Sequence, residues 1–292
     1  MQPEPLRDVT PEEIAAYGRD GFVKLAGVLS ADWVDLLRET IDDMYHRRGV
    51  VRSKEMDEVA AMVAACGGQL LQDGAARPKG AFGISTDQWR QVPDLKRICL
   101  DSPVPKLAAQ LFGASKINFL IDQVFLKEPG SARRTAFHSD ESYFNCTGEQ
   151  CATFWIAVDV VDKANGAMGY VPGSHLWRTK FKRNVFVSQQ ADPTSEGEQI
   201  PDIEGQEEKY GVTYLESGPG DILVHHYRTL HGSTGNVDAT RIRRSAGLRY
   251  GGDDLRYFER MKIAMRSAEL KNGDPMDSAD FPVVWRADER VG

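Results

Sequence analysis

Ala152-Thr153-Phe154-Trp155-Ile156-Ala157-Val158 is a short run of β-branched, aromatic and small apolar residues, too short for a helix of ordinary length. Runs of the same kind recur at Ile117-Asn118-Phe119-Leu120-Ile121, Val124-Phe125-Leu126, Ile222-Leu223-Val224 and from Ser245 to Tyr250, with turn-forming residues between them. No helix-length apolar period alternates with these runs. This argues against a doubly wound parallel sheet and for antiparallel packing as a sandwich or jelly roll.

Upstream of Lys116 the pattern is mainly helical. Thr10-Pro11-Glu12-Glu13 carries a capping box and a proline suited to a first turn, predicting a short helix to about Tyr17. Gly21 to Leu25 reads as a strand, and Ser30 opens a second helix with Trp33, Leu36, Leu37, Ile41 and Met44 on one face. His46, near the end of that helix, reads as a surface or cap histidine. Residues 50 to 90 have no clean period and read as irregular with short helices. From Pro93 to Phe112 the apolar positions are helical, but Pro103 and Pro105 divide them into two short helices. The fold class expected is mainly β with helices (α+β). A single catalytic domain over 1–292 is expected, with a mainly helical portion at 10–115, a β core at 116–252 and a C-terminal extension at 253–292. Inside the core, 177–211 is a polar insertion, read as a solvated lid or loop.

Composition narrows the function. The chain has 36 Lys and Arg against 43 Asp and Glu, a net charge of −7, which disfavours nucleic acid because neutralising phosphates needs clustered cations. With 41% hydrophobic residues it can bury an ordinary globular core. No run approaches the roughly eighteen consecutive apolar residues of a membrane span, and the first ten residues lack the basic-then-apolar layout of a signal peptide. Cys66, Cys99, Cys146 and Cys151 fit ordinary thiols in a reducing compartment. A cytoplasmic monomer or homodimer with a small-molecule substrate is expected.

Three local signals carry chemistry. His138-Ser139-Asp140 places an imidazole and a carboxylate on one side of an extended segment. His231 lies in Leu230-His231-Gly232-Ser233, after another β-rich run. Two neutral imidazoles and one carboxylate form a facial set that leaves positions of an octahedral Fe(II) open, whereas a closed zinc site wants four ligands, usually with thiolates. The third signal is Arg241-Ile242-Arg243-Arg244, where an inward-facing guanidinium can hold a carboxylate bidentately. Adjacent strand residues face opposite sides, so Arg243 and Arg244 cannot both be solvated. Each signal taken singly also fits a plain loop or core residue.

His138-x-Asp140, Trp155, Asn165-Gly166, Val171-Pro172-Gly173-Ser174-His175, His231-Gly232-Ser233 and the arginine strand occur in an order that resembles the phytanoyl-CoA dioxygenase family of Fe(II)- and 2-oxoglutarate-dependent oxygenases. Asp20-Gly21-Phe22-Val23 near the start is similar too, and the likeness runs from about residue 10 to 252. The resemblance implies a double-stranded β-helix (jelly roll, cupin-like), with iron held by His138, Asp140 and His231, and O2 and 2-oxoglutarate as cosubstrates. The family's arginine for the far carboxylate would fall on Ile242, so the pattern departs by one residue. Arg243 is chosen, with Arg241 and Arg244 open. Ser233, Trp155 and Gln123 would line the cosubstrate site. Asn165-Gly166 reads as a tight hairpin turn, Pro172 to His175 as structural, and one of His225 and His226 as inward. Arg133 and Arg134 read as a solvated loop.

The activity implied is hydroxylation of an unactivated carbon in a lipid, amino-acid derivative or natural product, with release of succinate and CO2. Asp140 favours hydroxylation over chlorination, since the related halogenases replace this carboxylate. Desaturation, epimerisation and ring formation remain open. The rivals are a non-catalytic β-sandwich binding protein, in which the three ligands never converge, and a zinc hydrolase.

Overall fold

The computed structural model describes residues 1–47, 80–184, 189–260 and 265–287. The expectations for residues 50 to 79, for Cys66 and for the side chain of His46 lie outside the described residues.

Helix α1 (Pro11–Asp20) starts on the predicted capping box, with Glu13 N–H donating to the Thr10 hydroxyl and Thr10 N–H to the Glu13 carboxylate. It runs a few residues past Tyr17, to a left-handed Gly21. Strand β1 (Phe22–Leu25) and helix α2 (Ala31–Asp42) follow, and α2 continues as a short π-helical turn to Arg47. Beyond β2 (Phe82–Thr86), the prolines split the next apolar stretch into α3 (Pro93–Asp101) and α4 (Val104–Phe112), as expected.

The two β-rich runs after Lys116 form one long strand, β3 (Lys116–Lys127). The others in chain order are β4 (Thr135–His138), β5 (Cys146–Thr147), β6 (Cys151–Ala157), β7 (Met168–Tyr170), β8 (Thr213–Leu215), β9 (Ile222–His226), β10 (His231–Ser233), β11 (Arg243–Gly251), β12 (Arg256–Tyr257) and β13 (Val283–Arg286). The main sheet has the order β1-β9-β6-β11-β3-β13, with β2 also on β3; a smaller sheet has the order β4-β10-β7-β8. The pairings in both sheets are antiparallel. The result is a jelly roll whose main sheet is completed by β1 and β2 from the helical portion and β13 from the C-terminal extension.

Period-two alternation decides what faces the interior. Phe154 and Ile156 of β6 and Ala246, Leu248 and Tyr250 of β11 pack with α2, α3 and α4 in one core cluster. Trp155 and Ala157 point the other way, toward Met168 and Tyr170 of the smaller sheet. Both faces of the main sheet are thus covered, which is why β6 is buried along its whole length instead of alternating with polar residues. The inward face carries the polar side chains of the site.

Two expectations are corrected here. Asn165-Gly166 is no hairpin turn: β6 and β7 belong to different sheets, and the dipeptide makes the corner between them, with the Asn165 amide donating to Val160 O and its carbonyl accepting from Asp162 N–H. The insertion at 177–211 is exposed or half-buried over most of its described residues, as expected, but it is anchored to the fold at a few points, and Arg134 supplies the second correction. Phe181 and Ile203 are buried in a small cluster with Phe137, Val171 and Leu230, and Glu207 pairs with Arg134 at 2.8 Å. That ion pair corrects the solvated reading of Arg134. No helix among the described residues is long and apolar enough to cross a membrane.

Candidate active site

Strand β10 runs antiparallel to β4 with His231 directly opposite His138, so two residues far apart in sequence stand side by side. Their ring centroids are 4.3 Å apart. Asp140 follows in the short helical turn after β4, with Oδ1 3.6 Å from His138 Nε2 and 3.8 Å from His231 Nε2. All three side chains are buried, and one ligand atom from each lies within 4.8 Å of the others. These spacings are too long for direct hydrogen bonds, so three donor atoms converge without satisfying one another.

Backbone carbonyls set the tautomers. His138 Nδ1 meets Ala136 O at 2.8 Å, and His231 Nδ1 meets Thr229 O at 2.9 Å. A carbonyl only accepts, so each Nδ1 carries the proton and each Nε2 presents its lone pair to the centre, the outer-shell arrangement of metal-binding imidazoles. Burial pushes the His231 imidazole well below its usual value, and the neighbouring His225 and His138 add to this. For Asp140 burial acts upward, but His231, His138 and His225 outweigh it and hold the carboxyl well below the usual range. The Thr153 hydroxyl donates to Asp140 Oδ2 at 2.7 Å, with His225 Nε2 3.6 Å from the same oxygen, leaving Oδ1 toward His138 and His231. Neutral imidazoles beside an ionised carboxylate are the donor set for a divalent iron with open positions.

The cavity next to this trio is lined by His138, His231, Ser233, Trp155 and Arg243. Arg243 is 2% exposed, and among the described residues no carboxylate is in contact with it. Its guanidinium donates to Ser245 Oγ at 2.9 Å and Gly166 O at 3.4 Å, stands 5.3 Å from the Trp155 ring, and leaves Nε without an acceptor. Burial brings it down to about 9. Gly166, at φ 117°, makes room: a Cβ there would stand 3.0 Å from Arg243 Nε. Arg244 faces outward to Asp159 and Asp42, and Arg241 pairs with Asp238 and Asp162, so neither reaches the cavity.

Sequence reasoning missed Lys127, the cross-strand partner of Arg243. Its fully buried ammonium donates to Ser233 Oγ at 2.9 Å and Thr234 O at 2.6 Å, and burial beside Arg243 pushes its pKa well down. A buried guanidinium beside a buried amine, with no carboxylate in contact among the described residues, fits a carboxylate supplied by a ligand, whose charge would also favour the protonated amine. Gln123 stands behind the cavity wall, bonded to Arg249 and Thr86. Thr153, His225 and Arg249, also on the wall, were missed as site residues or given no role, although Thr153 and Arg249 share strand parity with Trp155 and Arg243. Of the expected histidine pair, His225 turns inward and His226 bonds Glu149 O. His175 packs against α1, 3.3 Å from Gly18 O, away from the centre. Cys99, Cys146 and Cys151 are buried free thiols.

A jelly roll with two imidazoles and a carboxylate on one face defines the class of mononuclear non-haem iron oxygenases. The chain belongs to the phytanoyl-CoA dioxygenase family, whose profile matches residues 17–245. It is 32% identical over 133 residues to a probable alpha-ketoglutarate-dependent hypophosphite dioxygenase of Stutzerimonas stutzeri, covering 44% of this chain but only 41% of that protein. A probable phytanoyl-CoA dioxygenase of Caenorhabditis elegans is 26% identical over 223 residues, covering 68% of each. Among solved structures, the alpha ketoglutarate-dependent epimerase SnoN of nogalamycin biosynthesis superposes with a TM-score of 0.68 at 23% identity, covering 94% of this chain and 98% of that one. SnoN has also been solved with Fe3+, alpha ketoglutarate and nogalamycin RO.

Proposed function

We propose that this dioxygenase uses Fe(II) held by His138, Asp140 and His231, takes 2-oxoglutarate as cosubstrate, and hydroxylates a small organic molecule in a cytoplasmic setting. The carrying observation is the convergence of His138 Nε2, His231 Nε2 and Asp140 Oδ1, with both Nδ1 atoms tied back to carbonyls. Bound there, the ion and the 2-oxo acid would supply dioxygen activation, with succinate and CO2 released and one oxygen atom delivered to the substrate. The chain's own residues bind and orient. Arg243 and Lys127 take the far carboxylate of 2-oxoglutarate, Ser233 braces Lys127, and the Trp155 ring backs the guanidinium. The flanking apolar walls, Phe125 and Met168, exclude water. A cleft of about 590 Å³ beside Glu141 and Ser142, directly after Asp140 in sequence, is of a size for a small-molecule substrate.

The test is anaerobic addition of Fe(II) and 2-oxoglutarate, followed by a screen for substrate-stimulated succinate release. A visible charge-transfer band is expected in the wild type and is lost in Asp140→Ala. A wild type that binds neither, or turnover without oxygen, overturns the proposal.

A further inference from the structure

Arg249 lines the same cavity as Arg243 but has no part in the scheme above. It is 5% exposed, its Nη1 donates to Gly247 O at 2.9 Å and its Nη2 to Gln123 Oε1 at 2.8 Å, while Nε has no acceptor. Among the described residues no carboxylate touches it, and Asp140 and Asp122 act on it only through space. Beside it His225 is 1% exposed; its Nε2 stands 3.6 Å from Asp140 Oδ2, too far for a hydrogen bond, and neither ring nitrogen has a partner at hydrogen-bond distance. A buried guanidinium without a contacting counter-ion is expensive, and an imidazole N–H without an acceptor adds to the cost; a bound anion relieves both.

The site is built on the same plan as the Arg243 end. Residues 243, 245, 247 and 249 of β11 share one face, so a single strand turns two arginines into one cavity. Gly247 does for Arg249 what Gly166 does for Arg243: a Cβ there would stand 3.1 Å from Arg249 Nη1, and its absence lets the guanidinium fold back over its own strand. Thr153 is the cross-strand partner of both Arg249 and His225, and its hydroxyl holds Asp140, so this pair lies on the Asp140 side of the centre. Arg243 and Lys127 lie beyond Ser233.

We propose that Arg249 and His225 form a second oxyanion-binding subsite that takes a carboxylate or phosphorus-oxyanion group of the substrate to be oxidised. The substrate is then a small acid or a compound ending in one, held by its charged group next to the metal position. This rests on the function proposed above, because it takes the Arg243 end to be filled by the cosubstrate.

The experiment uses anaerobic protein with Fe(II) and saturating 2-oxoglutarate, titrated separately with acetate, phosphite and neutral acetamide. The visible band reports the cosubstrate, and melting temperature reports the added ligand. In the wild type at least one oxyanion raises the melting temperature saturably, acetamide does not, and the better of acetate and phosphite identifies the acid class. Arg249→Met keeps the band and binds the oxyanion about tenfold to hundredfold more weakly. His225→Phe weakens it as well. The inference is overturned if the wild type shows the band but no saturable response to either oxyanion, if Arg249→Met responds like the wild type, or if Arg249→Met loses the band, which would make Arg249 a cosubstrate residue. Should Arg249→Met fail to fold by circular dichroism, Arg249→Lys and His225→Phe carry the comparison, and unchanged binding in both sinks it. A wild type without the band defeats the iron and 2-oxoglutarate assignment instead, and oxyanion binding is then read from melting alone.

Discussion

The hydroxyl of Thr153 donates a 2.7 Å hydrogen bond to Oδ2 of Asp140, the carboxylate oxygen turned away from the two imidazoles. The bond orients Oδ1 toward the metal position before any ion arrives. Thr153→Val keeps the shape and removes the donor. Outer-shell losses of this kind weaken metal binding by about tenfold to hundredfold, so Fe(II) titration should show a drop of that order, with Thr153→Ser close to wild type. Equal affinities in all three proteins would mean that packing alone orients Asp140.

Arg243 yields a prediction in which stability and binding move in opposite directions. Its buried guanidinium has no carboxylate in contact among the described residues, so in the ligand-free protein Arg243→Met removes a poorly compensated charge and should stabilise by roughly 1 kcal/mol or more. With 2-oxoglutarate at about a hundred times its dissociation constant the wild type gains about 2.7 kcal/mol that the variant cannot. Melting with and without 2-oxoglutarate checks both signs. A variant that is less stable without ligand and equally protected by it would remove Arg243 from the cosubstrate site.

Strand parity made much of this legible in sequence. The opposite facing of Arg243 and Arg244 follows from their adjacency, and the interior row Thr153, Trp155, Ala157 follows from period two. What parity cannot reveal is a missing partner. That no carboxylate among the described residues touches Lys127 or Arg249 depends on which residues distant strands bring alongside, and no local pattern encodes that. Asn165-Gly166 failed for another reason: the same dipeptide serves a hairpin or a corner between sheets, and only the strand pairing of β6 and β7 tells them apart. In the insertion the anchors Phe181 and Ile203 are separated by a mainly polar stretch, without a period to mark them.

His226 should make stability depend on pH. Its Nε2 donates to Glu149 O at 3.0 Å, and its Nδ1 accepts from Arg228 N–H at 3.1 Å, so the ring has no room for a second proton. Burial first, then Arg228 and His175, bring its pKa down to about 3. The native state therefore binds fewer protons than the unfolded chain below about pH 6.5. This contribution is intact above that value and is lost as pH falls toward 3, at about 1.4 kcal/mol per pH unit within the window. Urea unfolding at pH about 7 and about 5 should show a steeper loss in the wild type than in His226→Gln. Parallel slopes would place the acid sensitivity elsewhere.

Asn184 ties the insertion to the strand that carries His138. Its side-chain amide donates to Phe137 O at 2.7 Å, while the Tyr143 hydroxyl donates to its backbone carbonyl at 2.6 Å. Tyr143 in turn packs edge-on against His138, with centroids 5.8 Å apart. Asn184→Ala leaves Phe137 O without this donor, a cost of about 1–3 kcal/mol for a buried group. One small apolar cluster, with Phe181, Ile200, Ile203 and Tyr210, holds the described residues of 177–211 to the fold, and the jelly roll keeps its own ladder, so the cost should appear as local opening of the segment. Limited proteolysis of Asn184→Ala should cut within 177–211 faster than in the wild type, with little change in overall melting temperature. A wild-type cleavage pattern together with a large fall in melting temperature would show instead that insertion and barrel unfold as one unit.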